Sequence, residues 1–379
     1  MTEEKSNEKS HCMSHYYCVI LAGGVGRRFW PYSRRKFPKQ FIDFLGTGES
    51  LLQTTYRRFR AYFDPEQIFV VTNEEYKSIA YQQLPELPVS NILLEARRRN
   101  TTCAIAYATG HITARDPEAV LLISPSDHLI LKEQQFIHHI EQALERAHET
   151  DRIITLGIKP TYPETNYGYI QAIDPEDHNN QLQVGKIYPV KTFTEKPNKH
   201  MSKVLVDSGE FYWNSGIFVS KGRVILDELK QHITELYERL FTNQEVWGTP
   251  EEAAHVAEVY PYCPNISFDY AVMEQLEEAE MVLCDLGWTD LGSWSAIYAL
   301  AEKDEERNAT LGATQVLLND SSNNLVMSTD PESLVVLQGV EDLIVVQNKG
   351  VLLVCRRGEE LKLKQVVPDA QGLADKFVD

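Results

Sequence analysis

Through the first half of the chain, short apolar runs alternate with helix-forming stretches, and few folds accommodate that alternation. Tyr16 to Ala22 contains Val19 and Ile20 and stops at Gly23-Gly24, so it reads as a buried strand. Gln67 to Thr72, Val120 to Ile123 and Ile153 to Leu156 have the same character. Between them, Ser50 to Phe63 places Leu51, Leu52, Thr55 and Phe59 on one helical face, and a second helix pattern covers about Lys132 to Ala147. Strands alternating with helices predict an α/β fold with a mixed, mostly parallel sheet and helices on both faces. Ligands of such sheets bind beyond the carboxyl ends of the strands. The glycine loop after Ala22 and the Asp127 loop after Ile123 fall there.

The middle of the chain is richer in β-pattern, around Tyr167 to Ile173 and Lys186 to Thr194. Val224 to Leu240 then reads as one helix, with Ile225, Leu229, Ile233, Leu236 and Leu240 sharing a face. A very polar stretch, Glu302 to Asn308, is the natural linker. Beyond it, short apolar runs begin at Leu325, Leu334, Leu343, Leu352 and Leu361, nine residues apart, with turn-forming residues between them. That spacing predicts a small C-terminal all-β domain, either a meander or a β-solenoid. The expected organisation is a disordered leader over 1–15, a main domain over 16–301 and a β-rich domain over 309–379.

The 37 Lys and Arg residues against 55 Asp and Glu leave a net charge of −18. A general nucleic-acid or anionic-membrane binder needs a basic footprint, so neither partner is expected. No apolar stretch approaches the roughly 20 residues that span a bilayer. Met1 to Ser14 is polar and lacks a signal-peptide core, so a cytoplasmic protein is expected, and Met13 is an alternative start. The six cysteines (Cys12, Cys18, Cys103, Cys263, Cys284 and Cys355) show no metal-site spacing and read as small buried hydrophobes.

Within this acidic chain, Arg27, Arg28, Arg34, Arg35, Lys36 and Lys39 crowd beside the loop Gly23-Gly24-Val25-Gly26. Glycines let backbone N–H groups turn toward a ligand, and flanking cations suit a triphosphate. Arg34, Arg35 and Lys36 read instead as a solvated basic turn. The loop is neither G-x-G-x-x-G, since Phe29 stands at the third glycine place, nor a Walker A loop, since Arg28 stands where its second glycine would be. Dinucleotide oxidoreductases and P-loop NTPases are therefore disfavoured.

Leu21-Ala22-Gly23-Gly24-Val25-Gly26-Arg27-Arg28-Phe29-Trp30-Pro31-Tyr32-Ser33-Arg34, followed by Pro38-Lys39-Gln40-Phe41, resembles the opening of the sugar-nucleotide pyrophosphorylases. More narrowly, it resembles the bacterial mannose-1-phosphate guanylyltransferase group. The segments Arg99-Asn100-Thr101, Pro125-Ser126-Asp127-His128, Pro163 to Ile170, Phe193 to Pro197, Trp213 to Phe218 and Trp288 to Trp294 extend the resemblance in order, over about Tyr17 to Trp294. The β-rich tail is similar to this family's short C-terminal domain, and with 379 residues a fused phosphomannose-isomerase module is not expected in this sequence. Departures fall at Arg27, Ala96, Arg98, Thr102-Cys103 and Asn166, where the family has Thr, Pro, Gly, Ala-Pro and Gly.

The resemblance implies a Rossmann-like sheet of nucleotidyltransferase type that binds GTP and mannose 1-phosphate and forms GDP-mannose with release of pyrophosphate. It implies that Leu21, Ala22, Gly23, Gly24, Gly26, Asn100 and Thr101 line the nucleotide and that Arg28 and Lys39 bind the triphosphate. Glu95 would accept from the guanine ring N–H and amine. Gly168, Glu195 and Asn214 would contact the sugar, and Lys196 its phosphate. Asp127 and Asp290 each follow a strand-like run in a turn-forming context, and by resemblance they hold Mg2+ or another divalent cation. His128 receives no catalytic role. Another sugar 1-phosphate or nucleotide, or a non-catalytic nucleotide-sugar sensor on the same fold, remains an alternative. The β tail offers a contact for a homodimer.

Overall fold

The computed structural model describes residues 13–176, 181–312 and 315–373. By their contacts these residues form two compact units. The first comprises the described residues of Met1–Gly23 with Tyr56–Ser126 and Ile130–Trp288; the second comprises Gly24–Thr55, Asp127–Leu129 and the described residues of Thr289–Asp379. The cation-rich loop after Gly23 thus belongs to the unit that holds the β tail. Of the expected leader, residues 1–12, including Cys12, lie outside the described residues. His15 is placed, with its ring Nδ1 2.9 Å from an Asp116 carboxylate oxygen.

The first unit is built on a nine-stranded sheet. Its strands are β1 Tyr16–Leu21, β2 Ile68–Asn73, β3 Ile92–Glu95, β4 Val120–Pro125, β6 Ile153–Ile158, β7 Gly168–Ala172, β8 Ile187–Glu195, β9 Phe211–Lys221 and β10 Ala279–Cys284. The two-residue strands β5 Leu129–Ile130 and β11 Trp288–Thr289 lie outside it. The order is β3-β2-β1-β4-β9-β6-β10-β8-β7. β1 to β4 pair in parallel, as expected. Beyond them β6 and β10 also pair in parallel, but the expectation of a mostly parallel sheet fails at β8 and β9: β9 is antiparallel to β4, β6 and β7, and β8 is antiparallel to β10 and β7. The sheet is mixed because no described helix separates β7 from β8, and strands joined without a crossover pair antiparallel.

β2, β6 and β10 are buried along their whole length, which is why their sequences are mostly apolar; the buried Glu280 of β10 is held by Arg146, whose Nε donates to it at 2.7 Å. The helix Asn100–Thr113 was not legible because it is buried from Thr102 to Ile112 and has no polar stripe to give a 3.6-residue pattern. Val19, Leu121 and Ile123 share its core cluster. The helix read over Val224 to Leu240 is two helices, Gly222–His232 and Thr234–Phe241, broken at Ile233 with φ −133° and ψ 53°. Adjacent β-branched Ile233 and Thr234 weaken the helix there, while the apolar stripe continues across the break.

The second unit carries β12 Ala309–Gly312, β13 Gln315–Asn319, β14 Leu325–Ser328, β15 Leu334–Gln338, β16 Leu343–Asn348 and β17 Val351–Arg356. β12, β14 and β16 stack in parallel, and so do β13 and β15. Leu325 lies opposite Ile344, nineteen residues on, so each coil spends two strands and the nine-residue step is half a coil. The tail is a β-solenoid, not a meander, until β17 turns back antiparallel on β16. It is not all β: the fifth run, at Leu361, falls in the single turn Glu360–Lys362, and the helix Leu363–Leu373 follows. Leu363 and Val367 of that helix enter the core.

β14 and β16 are buried on both faces. Val326 and Val345 face Leu337 in one apolar cluster. The alternate residues Leu325, Met327, Ile344 and Val346 join Phe29, Phe44 and Trp294 in another. Phe29 packs edge-on against Trp294 at 5.2 Å between ring centroids. Among the described residues no helix is long and apolar enough to cross a membrane.

Candidate active site

In the second unit, a cavity of 580 Å³ is lined by Gly26, Arg28, Lys39, Asp127, Asp290 and Gly292, among others. Gly26 has φ +69°, a conformation L side chains rarely adopt, and a Cβ there would collide with the Lys39 side chain. Lys39 is 5% exposed. Its ammonium donates to Asp127 Oδ2 at 2.8 Å and to the Asp290 main-chain carbonyl at 2.6 Å, and it stands 5.5 Å from the Phe29 ring centre. Burial opposes ionisation of Asp127, but the charges of Lys39 and His128 outweigh it and hold the carboxyl below its usual range. Arg28 Nη1 donates to Gly292 O at 3.4 Å. The Asp290 carboxylate lies over Gly292, where a Cβ would meet both its oxygens at 2.8 Å.

Asp127 and Asp290 thus line one cavity beside three cations, Arg27, Arg28 and Lys39. Among the described residues no group of three or more His, Cys, Asp or Glu side chains could hold a metal alone. Two carboxylates in a cavity that also carries Arg27, Arg28 and Lys39 have the donor chemistry magnesium takes, since it needs few protein ligands and completes its shell with other oxygens and water.

The first unit gathers the expected sugar residues. Glu195 and Lys196, at the end of β8, form an ion pair, and Lys196 stands 5.8 Å from the Tyr270 ring centre. Glu195 Oε2 is buried without a hydrogen-bond partner. It sits against Gly168, where a Cβ would come within 2.5 Å of it. Burial, reinforced by Asp269 and opposed by Lys196, pushes the Glu195 carboxyl up to about 7. Asn214 Oδ1 accepts from Thr155 Oγ1 at 3.0 Å and from Gly216 N at 3.1 Å, while its amide donates to Asp269 Oδ1 at 2.7 Å. Asp269, Glu274 and Thr155 were missed by sequence reasoning. Glu274 accepts the Glu195 backbone N–H at 2.7 Å. The signal available for Asp269 was the capped helix start at Ser267, whose hydroxyl accepts from Tyr270 N.

Glu95 ends β3 and is 4% exposed. Its Oε1 accepts from the Tyr260 hydroxyl, and its Oε2 faces Gly23, where a Cβ would lie 2.7 Å away. Burial pushes this carboxyl up to about 7 against the opposing effects of Tyr260 and Arg98. Ala22 is fixed at the strand end by its N–H to Val71 O and its carbonyl to Thr72 Oγ1, both at 2.8 Å, and Leu21 O accepts from Ser126 N at 3.1 Å. Asn100 is exposed, while Thr101 Oγ1 accepts from Phe268 N at 2.9 Å and so braces its own helix start. Gly24 is unobstructed: nothing lies within 4 Å of where its Cβ would be.

One basic residue departs from its expected setting. Arg34, read as part of a solvated turn, is 6% exposed. Its guanidinium is tied to main-chain carbonyls of the second unit, while Arg35 and Lys36 are exposed as expected.

A mixed α/β sheet with a glycine loop at the end of its first strand, a lysine-carboxylate cavity and a β-solenoid define a nucleotidyl-transferring enzyme. A family model described as nucleotidyl transferase matches residues 17–307, and one described as MannoseP isomerase/GMP-like beta-helix domain matches 314–369. A putative mannose-1-phosphate guanylyltransferase of Vibrio cholerae is 36% identical, over 92% of this chain and 73% of its own length. A mannose-1-phosphate guanylyltransferase of Salmonella montevideo is 37% identical, over 92% of this chain and 72% of its own. A solved Thermus thermophilus structure, described as a mannose-1-phosphate geranyltransferase, is 28% identical with a TM-score of 0.81, covering 94% of this chain and 99% of that one. The chain belongs to the nucleotidyl transferase family, in its mannose-1-phosphate guanylyltransferase branch.

Proposed function

We propose that this chain joins GTP to mannose 1-phosphate, forming GDP-mannose and releasing pyrophosphate. The observation that carries the proposal is the Lys39 ammonium set between the Asp127 carboxylate and the Asp290 carbonyl in a cavity that also holds Arg28. The sugar phosphate oxygen is itself the nucleophile, so the protein's task is positioning and charge neutralisation. Arg28 and Lys39 neutralise the triphosphate and stabilise the departing pyrophosphate. The backbone from Leu21 through Gly26, with Asn100 and Thr101, borders the nucleotide. Asp127 and Asp290 would hold a divalent cation, Mg2+ by their chemistry; when bound it neutralises charge on the phosphate oxygens.

On the sugar side, Lys196 binds the phosphate of mannose 1-phosphate. Glu195 Oε2, buried and unpartnered, accepts a sugar hydroxyl, because a buried acceptor left unmade is costly. Gly168 leaves room for that contact, and Asn214 adds its own. Glu95 reads the base through Oε2, its other oxygen being held by Tyr260. The test is pyrophosphate release across the four NTPs and several sugar 1-phosphates, with and without magnesium. Release confined to GTP with mannose 1-phosphate and magnesium is expected; no release in any combination would leave the sensor reading instead.

A further inference from the structure

The structure carries an unassigned set of contacts between the cation-rich loop and the last turn of the solenoid, both within the second unit. Arg34 Nε donates to Pro31 O at 3.2 Å, and its Nη2 donates to Asn348 O at 2.8 Å and Lys349 O at 3.3 Å. Asn348 answers in the other direction: its amide donates to Pro31 O at 2.7 Å and Tyr32 O at 3.4 Å, while its Oδ1 accepts from Thr329 Oγ1 at 2.9 Å. Arg34 and Asn348 are both almost fully buried, at 6% and 5% exposure.

What the contacts grip is a hairpin. Arg34 and Phe37 exchange main-chain hydrogen bonds at 3.0 and 3.1 Å, and Ser33 Oγ donates back to Gly26 O at 2.5 Å. One arm of the hairpin leads back through Pro31 to Arg28; the other leads forward through Pro38 to Lys39. Phe29, between Arg28 and the gripped Pro31, is 1% exposed and shares a core with Ile344 and Val346 of β16, the strand that ends at Asn348. A guanidinium taken out of water and given carbonyl partners is an expensive way to fill space. Its fork of fixed donors does, however, set the loop's position and angle together.

We propose that Arg34 and Asn348 are positioning residues for the triphosphate cavity, through which the β16–β17 turn holds Arg28 and Lys39 in register. The proposal rests on the reading of that cavity as the phosphate site. It makes the solenoid part of the catalytic apparatus within this unit. A loop tied at its waist by several bonds keeps its two cations at a fixed separation, and misplacing a catalytic group by about 1 Å costs on the order of a hundredfold in rate.

The experiment compares Asn348→Ala, Arg34→Lys and Lys39→Ala with the wild-type full chain, with thermal melting as a check on folding. Asn348→Ala leaves the carbonyl acceptors of Arg34 in place, and Arg34→Lys keeps the charge without the fork. Both are expected to lower kcat and raise KM for GTP, with kcat/KM for GTP falling roughly ten- to a hundredfold. KM for mannose 1-phosphate should stay within about twofold, a split that general loosening would not produce. Should Arg34→Lys fail to fold, Asn348→Ala decides alone. Folded variants with wild-type kinetics, or with both KM values displaced alike, overturn the proposal while Lys39→Ala still abolishes turnover. If Lys39→Ala itself leaves GTP kinetics unaltered, the phosphate reading fails and the positioning role falls with it.

Discussion

The Lys39 ammonium lies 2.8 Å from the Asp127 carboxylate, a buried cation holding a carboxyl in its charged form. An ionised Asp127 is what a divalent cation requires as a ligand. Asp127→Asn and Asp290→Asn, each close in shape to the original, should lower turnover by about a hundredfold or more at saturating magnesium. Pyrophosphate release under initial-rate conditions measures it. Wild-type turnover in both variants would remove the metal role from these two residues.

Lys196 serves the other substrate. Lys196→Ala should cut kcat/KM for mannose 1-phosphate by about a hundredfold, the loss of one charge-assisted contact to phosphate. KM for GTP should change little. An unchanged specificity constant for the sugar phosphate would take Lys196 out of the site.

Glu195 should impose a pH dependence. Its carboxyl is raised from 4.5 to about 7, first by burial and then by Asp269. Between those values the folded chain holds a proton that the unfolded chain has lost, so this group's contribution to stability declines as pH rises from 4.5 to about 7. Glu95, also raised from 4.5 to about 7, acts in the same sense. Replacing either by Gln should flatten the fall of melting temperature over that window. Sugar use should run the opposite way, because the ionised carboxylate is the better acceptor: kcat/KM for mannose 1-phosphate should climb through about pH 7. Asp269→Asn removes a charge that raises Glu195 and should move that limb to lower pH. A limb that stays put in Asp269→Asn would refute the coupling.

Gly168→Ala tests the same acceptor sterically. The added methyl would meet Glu195 Oε2 at 2.5 Å and Asn214 Cβ at 3.2 Å, so the carboxylate must shift. KM for mannose 1-phosphate should rise about tenfold or more, with GTP binding preserved. A variant with normal sugar-phosphate kinetics would show that Oε2 is not the acceptor.

Glu95→Gln should erode the preference for GTP over ATP by about tenfold, because an amide presents a donor where guanine needs only acceptors. Paired kcat/KM values for the two nucleotides measure this. An unaltered ratio would reject the base contact.

Much of this was legible in the residues. β1, β2, β4 and β6 are short runs buried on both faces, so apolarity and length were enough to mark them. The nine-residue step of Leu325, Leu334 and Leu343 announced regular strands, because each of these leucines opens a strand of the solenoid, although Leu334 itself is exposed. The loop glycines and its cations were visible as a local pattern, while Asp127 and the Glu195-Lys196 pair stood out through the family resemblance of their flanking segments.

Other features depend on partners distant in the chain. The antiparallel half of the sheet was hidden, because β9 sits beside β4 and β6 through pairing that no local pattern encodes. Asp269 belongs with Asn214 only because the fold brings positions 55 residues apart within 2.7 Å. Arg34 looked like one more solvated cation until the chain brought Asn348, 314 residues away, to within 2.8 Å of it. Composition and periodicity determined the apolar strands and where charge is concentrated. Only the tertiary structure decided which groups face each other and that a cation such as Arg34 is buried, because apolarity belongs to each residue and partnership to the path of the whole chain.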